Sequence, residues 1–288
     1  MASLRDIRLR IRSIRNTQKI TKAMQVVAAT RLRRAQAAVQ ATRPYAEKML
    51  EVLQTTSARA VEYRHPYLER REGNRALVIL ITSDKGLAGA LNTNTLRAAQ
   101  RHLNEHHGGQ ASYVCIGRKG RDFERRLRRD VVAESTGVPD RPRIHEILPS
   151  IAAALEEFDQ GRVDTVLLAY ERWISTLRQE PVIRPLLPLS LPEASPDRAG
   201  ADYIYEPDPE GVLDQLLPRY VETQVYQALL ENQASEYSAR MIAMQNATEA
   251  AGDLIKSLTL TANKVRQAGI TTELMEIVGG AEALRASS

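Results

Sequence analysis

The chain has 288 residues, 43% of them hydrophobic and 26% charged, with a formal net charge of +5. That is enough for one large domain or two modest ones. No apolar run approaches the roughly 18 residues that span a bilayer. The single cysteine, Cys115, excludes an internal disulfide and a cysteine-based zinc site. Charge is unevenly spread. Residues 1–43 carry eleven basic side chains against Asp6 alone, whereas residues 210–288 are net −4. A basic beginning and an acidic end either attract each other or face different partners.

The beginning reads as a long helix. Ser3 and Asp6 have capping-box spacing, and Leu4, Ile7, Ile11 and Ile14 then recur at steps of three and four. The expected seam continues through Ile20, Met24 and Val27 to Leu32, Ala35 and Val39, slipping phase as in a nearly straight helix. Between about Asn74 and Pro207 the pattern changes. Strands are expected at Arg75–Thr82, Ala111–Ile116, Val163–Tyr170 and Val182–Leu189, and helices at Asn92–Glu105, Lys119–Arg129 and Arg143–Phe158. Alternation of this kind indicates an α/β layer of mostly parallel order. The Pro192–Pro209 stretch reads as a loop. From Arg219 to Val278 there is no proline, and Val221, Val225, Leu229, Ala247, Ala251, Leu254, Leu258 and Val265 mark one stripe of a second long helix, with Gly279-Gly280 as its stop. Some 60 helical residues make a rod on the order of 90 Å long. Such a rod needs a helical partner, and the beginning of the chain has the matching stripe. The two ends therefore pair antiparallel around an inserted α/β module.

Candidate chemistry is mostly absent. The turn Ser83-Asp-Lys-Gly-Leu-Ala-Gly89 follows a strand and opens a helix, where phosphates often bind, yet it fits neither the P-loop nor the G-x-G-x-x-G spacing; a tight turn needing glycine is the better reading. His102 and His106 have i,i+4 spacing, with His107 adjacent, but no acidic residue is placed as in a metalloprotease helix. Ser and Asp form no triad. The residues call for no catalytic, cofactor or metal site.

Three separated motifs then carry a resemblance. Ile20-Thr-Lys-Ala-Met-Gln-Val-Val-Ala-Ala-Thr30 followed by Leu-Arg-Arg-Ala-Gln36, Ser235-Glu-Tyr-Ser-Ala-Arg-Met-Ile-Ala-Met-Gln-Asn-Ala-Thr248, and Leu260–Leu274 with Glu276-Ile-Val-Gly-Gly280 resemble the gamma subunit of the rotary, F-type ATP synthases. The resemblance covers essentially the whole chain. The central turn also resembles the family's, with Ala88 where many members have cysteine; the redox cysteine pair of the plastid branch is absent. What the resemblance implies is an α+β fold: a long antiparallel coiled coil of shaft helices at 1–60 and 210–288, with an inserted Rossmann-like α/β foot at 74–207. It implies a non-catalytic rotor shaft coupling ion flow through the membrane ring to ATP synthesis or hydrolysis. Its partners would be the alpha and beta subunits of the catalytic ring, the epsilon subunit and the c-subunit ring, with no cofactor of its own. Matching positions give Met24, Arg240, Gln267, Thr271 and Glu276 as contacts with the alpha/beta ring, and Tyr203, Tyr205 and Glu206 as the foot's contact with the c ring. Lys22 and the run Arg31, Arg33, Arg34 would meet acidic beta loops or solvent. The start of the chain lacks a convincing presequence, so the expectation is a bacterial complex with this subunit on the cytoplasmic face of the plasma membrane, held there only through the complex. The rival reading is a basic helical protein that binds nucleic acid.

Overall fold

The computed structural model describes residues 3–59, 63–190 and 208–286. In chain order the elements are α1 (Leu4–Arg59), β1 (Ala76–Ile81), α2 (Leu91–His106), β2 (Ala111–Ile116), α3 (Arg118–Arg126), β3 (Val131–Ser135), a single 3-10 turn (Ile144–Glu146), α4 (Leu148–Asp159), β4 (Thr165–Trp173), β5 (Gln179–Leu187) and α5 (Pro209–Ala286). The sheet order is β3-β2-β1-β4-β5. β1 pairs parallel with β2 and β4, and β2 with β3, while β5 runs antiparallel to β4. Compactness groups the chain into two units: one holds the chain up to Val27 and from Met241 onward, the other holds Ala28–Arg240. The sequence divides the chain elsewhere, near 60, 74, 207 and 210. The difference has a physical cause. The C-terminal part of α1 and the N-terminal part of α5 bury apolar side chains on the sheet, so they belong with it.

In the larger unit, Ala-Leu-Val-Ile-Leu-Ile of β1 is buried throughout because both faces are covered. Successive side chains point to opposite faces. Leu77, Ile79 and Ile81 join Ile151 and Phe158 of α4, Met49 and Leu53 of α1, and Leu213, Leu217 and Val221 of α5. Ala76, Val78 and Leu80 meet Ala99 and Leu103 of α2. Each such Leu or Ile contributes roughly 1.5–3 kcal/mol by leaving water. The entrance to β1 is fixed by Asp164, whose carboxylate accepts from Arg75 N at 3.0 Å and from its guanidinium at 2.7 and 3.0 Å. A Cβ at Gly73 would lie 2.1 Å from that carboxylate, so only glycine fits there.

The smaller unit is an antiparallel pair of helices. The expected cap is present: Asp6 N–H donates to Ser3 Oγ, and Ser3 N–H donates to Asp6 Oδ2, both at 3.2 Å. Thr21 and Thr248 hydroxyls meet at 2.7 Å, and Gln18 Nε2 donates to the Thr248 carbonyl at 3.2 Å.

Several expectations need correction. The expected seam places Ile20 and Val27 inside, but they are 60% and 51% exposed, while Thr21 and Ala28 are buried. Burial along α1 follows an unbroken heptad, as in Ile7, Ile14, Thr21, Ala28 and Ala35, instead of slipping. On α5, Leu254 is exposed and Ile255 turns inward for the same reason. Gly279-Gly280 does not stop α5, which continues to Ala286. The helix expected from Arg143 begins at Leu148, because Pro149 seats at a helix N-terminus and the preceding turn is 3-10. The charged helix ends at Arg126, two residues before Arg128 turns to φ 56°. β3 was not expected at all; its half-buried Val-Val-Ala-Glu-Ser sits at the sheet edge. The expected Pro192–Pro209 loop lies almost wholly outside the described residues.

Candidate coupling surfaces and a crevice at the strand ends

In an open α/β sheet the crevice beyond the carboxyl ends of the strands is where ligands bind. Here that crevice is a cavity of about 360 Å³ lined by the turn after β1, the start of α3, the loop at Gly137–Asp140 and one face of α5. The start of α3 resembles an anion site in geometry, but the chain fills it. Arg118 N–H donates to Asp84 Oδ1 at 2.9 Å, Lys119 N–H to the Ser83 carbonyl at 3.1 Å, and Gly120 N–H to Thr82 Oγ at 2.8 Å. Asp84 Oδ2 accepts from Val138 N–H at 3.0 Å. A carboxylate thus sits where a phosphate would. Close packing fixes Gly117, at φ 106°: a Cβ there would lie 2.0 Å from the Thr82 carbonyl oxygen. The tight-turn reading of Ser83–Gly89 is the correct one, with Leu87 and Gly89 both at positive φ.

The far wall is a lattice of ion pairs and hydrogen bonds. Arg31 meets Asp140 at 2.9 Å, and Tyr237 donates to the same carboxylate at 3.0 Å. Gln233 donates to the Pro139 carbonyl at 2.9 Å. Arg240 donates to the Gly86 carbonyl at 3.1 Å and pairs with Glu236 at 2.5 Å. Arg31 and Arg240 each meet a carboxylate, and the arrangement clamps two loops onto α5; of the other charged residues lining the crevice, Asp84 is held by backbone N–H groups, and Lys85 and Arg118 make no ion pair among the described residues.

The residues expected to contact partners are scattered. Met24 is half-buried on α1 of the smaller unit. Gln267, Thr271 and Glu276 are exposed on α5 of the same unit, and the Thr271 hydroxyl donates to the Gln267 carbonyl one turn back at 3.0 Å. Arg240 lies in the other unit and is only 7% exposed. Along α5 itself, Arg240 precedes Gln267 by about seven turns. No hydrogen bond or ion pair among the described residues joins Glu276 to the neighbourhood of Met24. Of the basic run, Arg31 is engaged by Asp140 and Lys22 by Gln25 at 3.2 Å, while Arg33 and Arg34 are exposed. Tyr203, Tyr205 and Glu206 lie outside the described residues.

His102 stacks near His106, with ring centroids 4.6 Å apart, and burial together with its histidine neighbours lowers its pKa. Among the described residues no cluster of His, Cys, Asp or Glu is arranged to hold a metal. Cys115 is fully buried, and burial pushes its thiol up to about 12, so it is unreactive. No helix among the described residues is long and apolar enough to cross a membrane.

One feature escaped the sequence reading. Ile270, Leu274, Met275, Ile277 and Val278 are all exposed on the last turns of α5. The signal was length. α5 has 78 residues against 56 in α1, and with Gln18 opposite Thr248 the pairing exhausts α1 before Ile270 is reached.

An ATP synthase family model matches residues 3–284. A gamma chain from Nitrosomonas europaea is 47% identical over 99% of this chain and all of its own length. The chain belongs to the ATP synthase gamma-chain family. Gamma chains from Ralstonia nicotianae and an Acidovorax strain are 46% and 45% identical, again over 99% of this chain. Among solved structures, a chain of the Euglena gracilis mitochondrial ATP synthase has a TM-score of 0.69 at 19% identity, covering 99% of this chain and 95% of that one. A chain from the Tetrahymena thermophila central stalk and c-ring has a TM-score of 0.58 at 25% identity, covering 79% of this chain and 99% of that one. The antiparallel helices with an inserted Rossmann-like layer are the fold of these neighbours. A gamma chain is a non-catalytic subunit of the synthase. The nucleic-acid reading of the basic beginning finds no support.

Proposed function

We propose that the chain is the rotor shaft of an F-type ATP synthase, turned by the c-subunit ring and working against a ring of alternating alpha and beta subunits. The observation that carries this reading is the end of α5, which shows Ile270, Leu274, Met275, Ile277 and Val278 to solvent without a partner among the described residues. Exposed apolar residues on an unpaired helix end fit a surrounding protein sleeve. The surface of the helical pair differs from side to side. It therefore acts as a ligand with a different free energy against each catalytic conformation, and rotation changes which conformation is favoured.

Within that reading Met24, Gln267, Thr271 and Glu276 face the alpha/beta ring. Arg240 is a positioning residue that holds the turn at Gly86. The α/β layer serves as the foot, with the epsilon subunit on it and Tyr203, Tyr205 and Glu206 toward the c ring. The subunit is peripheral, held to the cytoplasmic face of a bacterial plasma membrane through the complex. Met24→Lys places an ammonium at a half-buried position of the shaft. The expected outcome in membrane vesicles is a complex of normal subunit content that hydrolyses ATP yet pumps ions poorly. Full ATP-driven pumping by that variant would overturn Met24's assignment. Affinity purification from native membranes tests the shaft reading itself: recovery of the chain without an ATPase-active complex would overturn it.

A further inference from the structure

Burial raises the carboxyl pKa of four glutamates in the larger unit: Glu124, Glu171, Glu231 and Glu236. Three of them have arginines in reply. Arg129 meets Glu124 at 2.9 Å, Arg240 meets Glu236 at 2.5 Å, and Arg184, Arg43 and Arg172 act on Glu231. Glu171 has none, although it is only 2% exposed. Its Oε1 lies 3.0 Å from Thr95 Oγ, and that hydroxyl lies 3.2 Å from the Leu91 carbonyl oxygen of its own helix. A threonine hydroxyl carries one proton, which two acceptors must share unless Glu171 brings a second. The protonated carboxyl then donates to Thr95 Oγ, and Thr95 donates to Leu91.

The same residue joins three elements. Glu171 N–H donates to Asn232 Oδ1 of α5 at 3.1 Å, and its carbonyl accepts from Ser235 Oγ of α5 at 3.0 Å. Two residues on, Trp173 Nε1 donates to Ser238 Oγ at 3.1 Å. Among the described residues no charged group answers the carboxyl. α2 presents Thr95, α5 presents Asn232 and Ser235, and β5 places Pro181 opposite. On α5 the nearby acids Glu231 and Glu236 are engaged elsewhere, by Tyr170 and Arg240.

We propose that Glu171 is a pH-sensitive latch: protonated, it closes the junction of α2, β4 and α5, and ionised, it loosens the seating of α5 on the sheet. Burial pushes this acid up to about 7. The sign follows from proton linkage. Between the unfolded glutamate value near 4.3 and the native value, the closed junction holds a proton that the open one has lost, so closure weakens as pH rises and levels off above about 7.

The test is amide hydrogen exchange on the assembled synthase from pH 5.5 to 8.5, with each rate normalised to intrinsic chemical exchange, reading peptides that span 165–173 and 228–238. In the native complex, opening should increase roughly tenfold per pH unit below about 7 and flatten above it. In Glu171→Gln, whose amide keeps the shape and donates to Thr95 without ionising, the profile should be flat. Identical profiles for the two proteins overturn the latch. Thr95→Val leaves the protonated carboxyl without its acceptor, so below about pH 7 the junction should open more readily than in the native complex. Unaltered opening there overturns the latch, even if the glutamine variant fails to assemble.

Discussion

The two units use apolar side chains in opposite ways. Around the sheet, Leu77, Ile79, Phe158, Leu217 and Val221 are fully buried, and burial itself holds the unit together. In the helical pair Ile7 and Met244 are buried, but several inner positions are small or polar, such as Thr21, Thr248, Gln18 and Ala251, while Ile20, Val27, Leu254 and Ile270 face outward. Small inner residues let two helices approach closely, and the apolar surface left outside is available to another protein. One unit keeps its large apolar side chains inside. The other leaves many of its own at the surface.

The comparison can be broken at four places. The largest effect is expected from Phe158→Ala, which empties a fully buried ring and should cost about 3–5 kcal/mol in denaturant unfolding of the chain. A loss below about 1 kcal/mol would mean that the sheet unit is not held by its core. Met24→Lys should leave that unfolding free energy nearly unchanged while uncoupling pumping from hydrolysis, and a large loss of stability would place Met24 with the core residues instead. At the seam, Thr21→Val leaves the Thr248 hydroxyl without its cross-helix partner and should cost about 1 kcal/mol, with the Thr21→Val, Thr248→Val double variant recovering most of it. A double-mutant cycle with no coupling would show that the 2.7 Å contact contributes nothing. The smallest effect belongs to Ile270→Asp. Stability of the free chain should move by no more than about 0.5 kcal/mol, whereas ATP-driven pumping by the complex should fall. Strong destabilisation of the free chain would show that the tip has an intramolecular partner.

Much of this was legible in the residues. The Ser3–Asp6 cap, the all-apolar β1, the strand and helix alternation and the long proline-free stretch after Arg219 follow from local chemistry, and the structure bears each of them out. Legibility failed where a choice depended on a partner element. Gly279-Gly280 looks like a stop, yet two glycines cost only about 1 kcal/mol each in a helix and do not end it. Val131–Ser135 is too short and too mixed to announce a strand until β2 offers it an edge. Arg240 reads as a solvated face on an arbitrary helix, but α5 lies beside the turn at Gly86 and the guanidinium is buried there.

By itself the sequence determined most of the elements, their antiparallel return and the family, because periodicity, caps and long motifs are written in consecutive residues. The tertiary structure alone decided which residues face inward. Seam register hangs on whether helical burial repeats every 3.5 or every 3.6 residues, a difference that moves Ile20 out and Thr21 in over a few turns. It also decided that Asp84 occupies the anion site at α3, and that Glu171 is buried beside one hydroxyl and no cation. Those neighbours lie 34 and 76 residues away along the chain, where no local pattern reaches.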